Sequence, residues 1–182
     1  MEALNTRVTI PLARLSYEHI WEKDKFGRYS ASLIVDKKDE ATITKIKAAI
    51  ADAKKQGLAE KWGGKAPAKL EPNLKDGDEA YPGDGAYKGS MFLGANKDKR
   101  PRIVKKIKGV ITDIDDENEV YSGCYVAAIV SFFPYNFEGK KGIGASLEVI
   151  LKVKDGEPLS GANIDVDEAL AEVGDLEDDD IM

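Results

Sequence analysis

A mainly β chain with one inserted helix, closed into a small barrel of mixed α+β content, is the fold class that three observations predict. Apolar and polar residues alternate in several stretches of the 182-residue chain, and one segment alone changes to a 3.6-residue period. Turn residues separate the strand-like stretches, and the chain ends in an acidic run without apolar periodicity.

The first two strands are predicted in "RVTIPLARLSY" and "RYSASLIVD". Between them "EHIWEKDKFG" offers Asp24 and Gly27 for a turn, so the pair reads as a long hairpin. Asp39 is then placed to cap a helix whose stripe is Ile43, Ile46, Ile50 and Ala53. That helix is expected to end near Gly57 or to run on to Trp62. Residues 63–100 contain Pro67, Pro72 and Pro82 among many glycines, which reads as a long broken loop, too aromatic for an inert linker. "RPRIVKKIKGVI" follows as a basic strand and "TDIDDENE" as an acidic turn. "VYSGCYVAAIVSFFPYN" carries the strongest strand signal and "ASLEVILKVKD" the next, which gives about five strands around one helix.

Within "SFFPYNFEGKKGIGAS" the alternation assigns Phe132 to the core, on the parity of Val126 and Val130. Phe133, Tyr135 and Phe137 share the opposite parity, and the core is expected to stop at Pro134.

Charge divides the chain unevenly. The formal net charge is −6, yet residues 165–182 hold nine acids and no Lys or Arg, leaving 24 acids against 27 bases in residues 1–164. The chain is therefore expected to comprise a mildly basic domain over 1–164 and an acidic tail over 165–182. Cys124 is the only cysteine, so no intrachain disulfide can form. Neither a signal peptide nor a membrane span is read from the sequence, and a cytoplasmic location is the expectation.

Few catalytic arrangements are open to these residues. His19 and Cys124 are the only histidine and thiol, which excludes a Cys/His zinc site within one chain, and there is no nucleophile elbow for a triad. "GDGAYKGS" lacks the order of a P-loop, and "DIDDENE" has Asn118 where a calcium loop needs glycine. No metal or cofactor is expected. A metal-dependent nuclease using Asp113, Asp115 and Asp116 remains as an alternative from the enzyme class, and a scaffolding protein working through its tail as another.

What the residues favour is basic groups interleaved with rings. Seven bases lie between Lys97 and Lys108 against the single acid Asp98, and Lys140 and Lys141 form a second cluster. Tyr17, Trp21, Phe26 and Tyr29 fall in the first hairpin, Tyr81, Tyr87 and Phe92 in the long loop, and further rings run from Tyr121 to Phe137. Single-stranded nucleic acid asks for this pairing, because its backbone needs cations and its bases offer π-faces for stacking.

The order "SYEHIWEKDKFGRYSASLIVDKKD", helix, "YPGDGAYKGSMFLGA", "KRPRIV", "VYSGCYVAAIVSFFPYN", "KKGIGASLEVILKVKDGEPL" and acidic tail resembles a family of phage-encoded single-stranded DNA-binding proteins. The resemblance implies an OB-fold, a five-stranded Greek-key barrel, that binds single strands without sequence preference in phage replication, recombination and repair, with no catalysis. It implies a stacking role for Tyr135 in "FFPYN" and a groove position for Arg28, with Lys99, Arg100 and Arg102 as a less direct match. Trp21, Phe137, Lys140 and Lys141 complete the expected interface. The terminal Asp178, Asp179, Asp180, Ile181 and Met182 resemble tails that recruit replication or recombination partners and compete with DNA, although the usual Pro-Phe ending is absent. A tail of this length reaching a neighbour's groove is compatible with a homodimer.

Overall fold

The computed structural model describes residues 4–159 together with 170, 171, 173 and 174. Asp178, Asp179, Asp180, Ile181 and Met182 lie outside the described residues, as does the domain boundary expected after 164.

Ten elements follow in order: β1 (Arg7–His19), β2 (Tyr29–Asp36), α1 (Glu40–Glu60), β3 (Leu74–Asp76), α2 (Gly77–Ala80), β4 (Ser90–Lys97), β5 (Arg102–Ile107), β6 (Val110–Asp113), β7 (Tyr125–Phe137) and β8 (Lys140–Lys154). Five of them close a barrel. β1 pairs with β2 and β7, β2 with β4, and β7 with β8, all antiparallel, and a parallel contact at Asn96 and Ser146 joins β4 to β8. This is the Greek-key order of an OB-fold, with β4 as its third strand and the helix inserted after its second. Three short strands are additions: β3 extends β4 at one edge, while β5 lies parallel beside β8 and carries β6.

Alternation along β7 separates inside from outside. Val126, Ala128, Val130, Phe132 and Pro134 are buried while the residues between them are not. Phe132 is 1% exposed, and truncating it to alanine would cost ~3–5 kcal/mol. Pro134 is tolerated for a geometric reason. The amide of Phe132 donates to Thr6 on the β1 side of the strand. Two residues on, position 134 faces the same way but beyond the start of β1, where the ladder requires no donor.

α1 packs against β7 and β1. Its Asp39 cap accepts from the amide of Thr42, and Ile46, Ala49, Ala53 and Gly57 form the buried stripe. The Trp62 ring lies against Gly57 so closely that a Cβ there would be 2.6 Å from it, so the glycine serves close approach. The indole N–H of Trp62 donates to the carbonyl of Tyr135 at 3.0 Å, tying the helix end to the far end of β7.

Two expectations need correction. The stretch 63–100 is not one broken loop, because it contains β3, α2 and the barrel strand β4. The basic strand "RPRIVKKIKGVI" is a hairpin, turned at Lys108 and Gly109 with φ of 49° and 82°, the mirror-image turn that suits strand twist. Among the described residues no helix is long and apolar enough to cross a membrane.

Candidate nucleic-acid interface

On the outside of the barrel, small residues occupy matching positions on neighbouring strands. Ser30 and Ser32 on β2 pair with Asn96 and Gly94 on β4. Asn96 meets Ser146 on β8, and Ser146 and Gly144 pair with Ser131 and Phe133 on β7. Their chain neighbours Ala31, Leu33, Ala95, Ala145 and Leu147 are buried, so these positions form one outward band across four strands. With hydroxyl, amide or hydrogen side chains everywhere but at Phe133, whose ring covers Gly144, the band lets a ligand approach close to the backbone at Ser30, Ser32, Gly94, Asn96 and Ser146.

One end of the band opens into a depression of about 600 Å³ lined by Tyr17, His19, Asp24, Lys25, Phe26, Ser30, Ser32 and Asn96, among others. The β1–β2 turn is organised by Asp24. Its carboxylate accepts from the Ser30 hydroxyl at 2.7 Å and from the amides of Phe26 and Arg28 at 2.9 and 3.1 Å. The Ser30 bond, followed by the Arg28 amide, holds the Asp24 carboxyl below its ordinary range. The turn presents Phe26 at 78% exposure and aims Arg28, whose Nε donates to the Asn96 side chain at 2.7 Å.

At the other end stand the rings of β7. Tyr135 lies over Gly142 and Phe133 over Gly144, the two glycines leaving room that any side chain would fill. Their ring centroids are 6.5 Å apart. Tyr135 is 40% and Phe137 69% exposed. Glu138 and Gly139, with φ of 50° and 84°, turn the chain into β8, where Lys140 and Lys141 are exposed opposite Phe137 and Asn136. Lys141 also borders a second depression of about 380 Å³ with Lys65 and Lys69.

The structure thus brings Arg28, Tyr135, Phe137 and Lys140 to one band, leaves Lys141 on the opposite face of the β7–β8 pair beside Asn136, Lys65 and Lys69, and separates the rest. Trp21 is a correction: at 9% exposure it belongs to the core, with its indole N–H donating to Val120 at 3.0 Å, and it offers no open stacking face. Its burial follows from the first turn folding back over the barrel end. Arg100 is spent on that turn. It donates to the Trp21 carbonyl at 2.8 Å, and its guanidinium lies over the rings of Trp21 and Tyr29 at 5.7 and 5.8 Å. Arg102 is on the β5–β6 hairpin, paired with Asp113 at 3.0 Å and bordering an apolar cleft with Thr9 and Ile111 instead of the small-residue band. Lys97 pairs with Glu148 and Lys105 with Glu119, so the seven-base cluster does not act as one strip. Lys99 is exposed on the connection before β5.

Sequence reasoning counted Tyr17 and Phe26 among the interleaved rings without assigning them to the interface, and it missed the small-residue positions themselves. The signal was present as a small residue at every second place in "SAS", "GAN" and "GIGAS". As for the carboxylates of the nuclease alternative, Asp113 is engaged by Arg102, and among the described residues no three His, Cys, Asp or Glu side chains gather around a metal-sized site.

A five-stranded Greek-key barrel with a small-residue band over its second, third and fifth strands, rings at both ends and cations beside them, defines an OB-fold domain of the single-strand-binding class. Comparison with known proteins makes the assignment particular. The chain belongs to the family described as Enterobacter phage Enc34, ssDNA-binding protein, whose model matches residues 6–182. It is 31% identical over 173 residues to putative protein p50 of Acyrthosiphon pisum secondary endosymbiont phage 1, covering 87% of this chain and 89% of that one. Among solved structures it is similar to the single-stranded DNA-binding protein from bacteriophage Enc34 in complex with ssDNA. There the TM-score is 0.70 at 25% identity, with 88% of this chain and 96% of that chain covered. The fold is also shared with gp2.5, a single-stranded DNA-binding protein encoded by bacteriophage T7, with a TM-score of 0.60 at 16% identity over 94% and 98% of the two chains.

Proposed function

We propose that this protein coats single-stranded DNA without regard to sequence, protecting and organising it during phage replication, recombination and repair in the host cytoplasm. The observation that carries the reading is the band of Ser30, Ser32, Gly94, Asn96 and Ser146 between exposed rings. Hydroxyls and glycines admit a sugar–phosphate backbone closely, and rings stack on any base because every base has a π-face. Arg28 and Lys140, with Lys141 and Lys99 further off, neutralise phosphates, while Tyr135 and Phe137 stack. No step of bond making or breaking is assigned to the band, and the protein acts by binding alone.

The tail acts as a tethered competitor and a handle for replication or recombination proteins. Nine acids in residues 165–182 are joined to the domain by a short connection, which gives them a high effective concentration near the basic groups of the same chain or of a partner copy. A fixed charge beyond ~8 Å would be screened at physiological salt, whereas a tethered one can reach the band.

A gel-shift and anisotropy titration with oligo-dT and with duplex DNA over a salt series tests this. Four neutralised phosphates give a slope of log K against log salt near −3, at ~0.7 counterions released per contact. Removal of residues 165–182 is expected to tighten binding at low salt. Affinity independent of salt, or equal for duplex and single strand, would overturn the proposal, and unchanged affinity of the truncated chain would remove the competitor role.

A further inference from the structure

We propose that Tyr17 is a second stacking platform for a nucleobase, set at the opposite end of the small-residue band from Tyr135. The inference rests on the reading of that band as a single-strand site. Tyr17 has φ 45°, a left-handed backbone conformation that few residues other than glycine and asparagine adopt. It sits where the β1–β2 register shifts between Ser16 and His19, so a bulge re-aims it out of the strand. The bulge pushes the ring outward rather than inward. Tyr17 is 58% exposed and lines the same depression as Phe26, Ser30, Ser32 and Asn96.

The ring is backed by a rigid stack. Tyr81 lies 6.1 Å and Tyr87 6.5 Å from it between centroids, and those two rings are 4.3 Å apart. Tyr87 is in turn edge-on to Phe92 at 5.1 Å, and its hydroxyl bonds Ser16 at 2.9 Å and Ser32 at 3.4 Å. Such a pile fixes the direction of the outermost ring while leaving its other side open. Fold stability does not call for this choice, since glycine or asparagine would occupy the left-handed position without strain and more than half of the residue stays exposed. A strained, buttressed and exposed ring beside a small-residue floor is what a base platform requires, and Lys25 Nζ, 5.2 Å from the Phe26 ring, supplies a cation across the same depression.

The test uses the full chain carrying Tyr17→Gly, Tyr17→Asn or Tyr17→Phe, with Tyr135→Ala beside them. Oligo-dT of about 16 nucleotides, long enough for a whole OB-fold site, is titrated by anisotropy, and thermal melting is followed in parallel. Tyr17→Gly and Tyr17→Asn are expected to bind roughly 5- to 150-fold more weakly while melting no lower than the parent, because strain is relieved as the ring is lost. Tyr17→Phe, which keeps the ring, is expected to bind like the parent. Parent-like affinity in Tyr17→Gly and Tyr17→Asn while Tyr135→Ala is weakened overturns the Tyr17 assignment alone. Lower melting that accounts for the lost affinity in both variants overturns it too, making the ring structural. Failure of the parent to bind oligo-dT, or indifference to Tyr135→Ala, breaks the reading of the band itself.

Discussion

Gly142→Ala should weaken DNA binding without harming the fold, because the methyl group lands under the ring of Tyr135. A Cβ at position 142 would be 2.5 Å from Tyr135 Oη, 2.7 Å from Cζ and 3.0 Å from Cε1. Non-bonded heavy atoms settle ~3.5–4.0 Å apart, so the ring must retreat by about 1 Å. It can do so, being 40% exposed, by swinging toward solvent and away from the flat pose it holds along the strand pair. Position 142 has no left-handed φ, so alanine brings no backbone strain and gains ~0.4–1 kcal/mol by restricting the unfolded chain. Stability is therefore expected to change little, whereas a lost stacking contact is worth ~1–3 kcal/mol, about 5- to 150-fold in affinity. Anisotropy titration of labelled oligo-dT at fixed salt measures the loss, and a double-mutant cycle assigns it. If the methyl acts through the ring, Gly142→Ala with Tyr135→Ala binds no worse than Tyr135→Ala alone. A full additional loss in that double variant, or undiminished affinity in Gly142→Ala, would refute the reasoning.

Gly57→Ala acts on the fold instead: its Cβ would stand 2.6 Å from the buried Trp62 ring, which has no open side to move into. Overpacking of this kind costs ~1–3 kcal/mol, and melting is expected ~2–12 °C lower; an unchanged melting temperature would contradict the packing described. The β1–β2 turn should loosen in acid. Asp24 has its folded pKa held below the unfolded value, chiefly by the Ser30 hydroxyl, so its contribution to turn order is complete above the ordinary carboxylate value and is lost as pH falls through the lowered one. Amide exchange at Phe26 and Arg28 during an acid titration reports this, and the acid-induced loss should vanish in Asp24→Asn; persistence of the same loss in that variant would place its cause elsewhere.

Much of the barrel was legible because hydrophobic period and turn chemistry agree where a strand has one face in the core. β7 is the clearest case: Val126, Val130 and Phe132 announce the inside, and Pro134 marks where the partner strand runs out. α1 was equally plain from its Asp39 cap and isoleucine stripe. Trp21 misled because a ring in a charged turn reads as exposed, and nothing local says that the turn folds back so that Val120 accepts its N–H. The basic cluster misled for a related reason. Charge counted along the chain ignores partners such as Glu148 on β8, Asp113 on the facing strand β6 and Glu119 in the turn beyond it, which folding brings alongside.

The failure at β4 has a deeper cause. "SMFLGANK" reads weakly as a strand because its outward positions, Gly94 and Asn96, lack the β-branched and aromatic residues by which strands are recognised. Those same positions, together with Ser30, Ser32 and Ser146, make the low floor across the barrel. A surface that must admit a backbone closely cannot also carry the bulky residues that signal its secondary structure. Packing is recovered elsewhere, by Phe133 and Tyr135 lying over the glycines of β8, by Leu93 on the barrel side of β4 and by Phe92 against Ile34 and Tyr87 on its other side. Poor local strand signal in a strand that the topology requires is thus itself a pointer to the binding face. If that is right, replacing Gly94 with valine should strengthen the β signal of β4 and preserve folding, since a Cβ there meets nothing within 4 Å. The same change should block the strand of DNA that the open floor admits, and tighter or unchanged oligo-dT binding by Gly94→Val would separate the floor from the function.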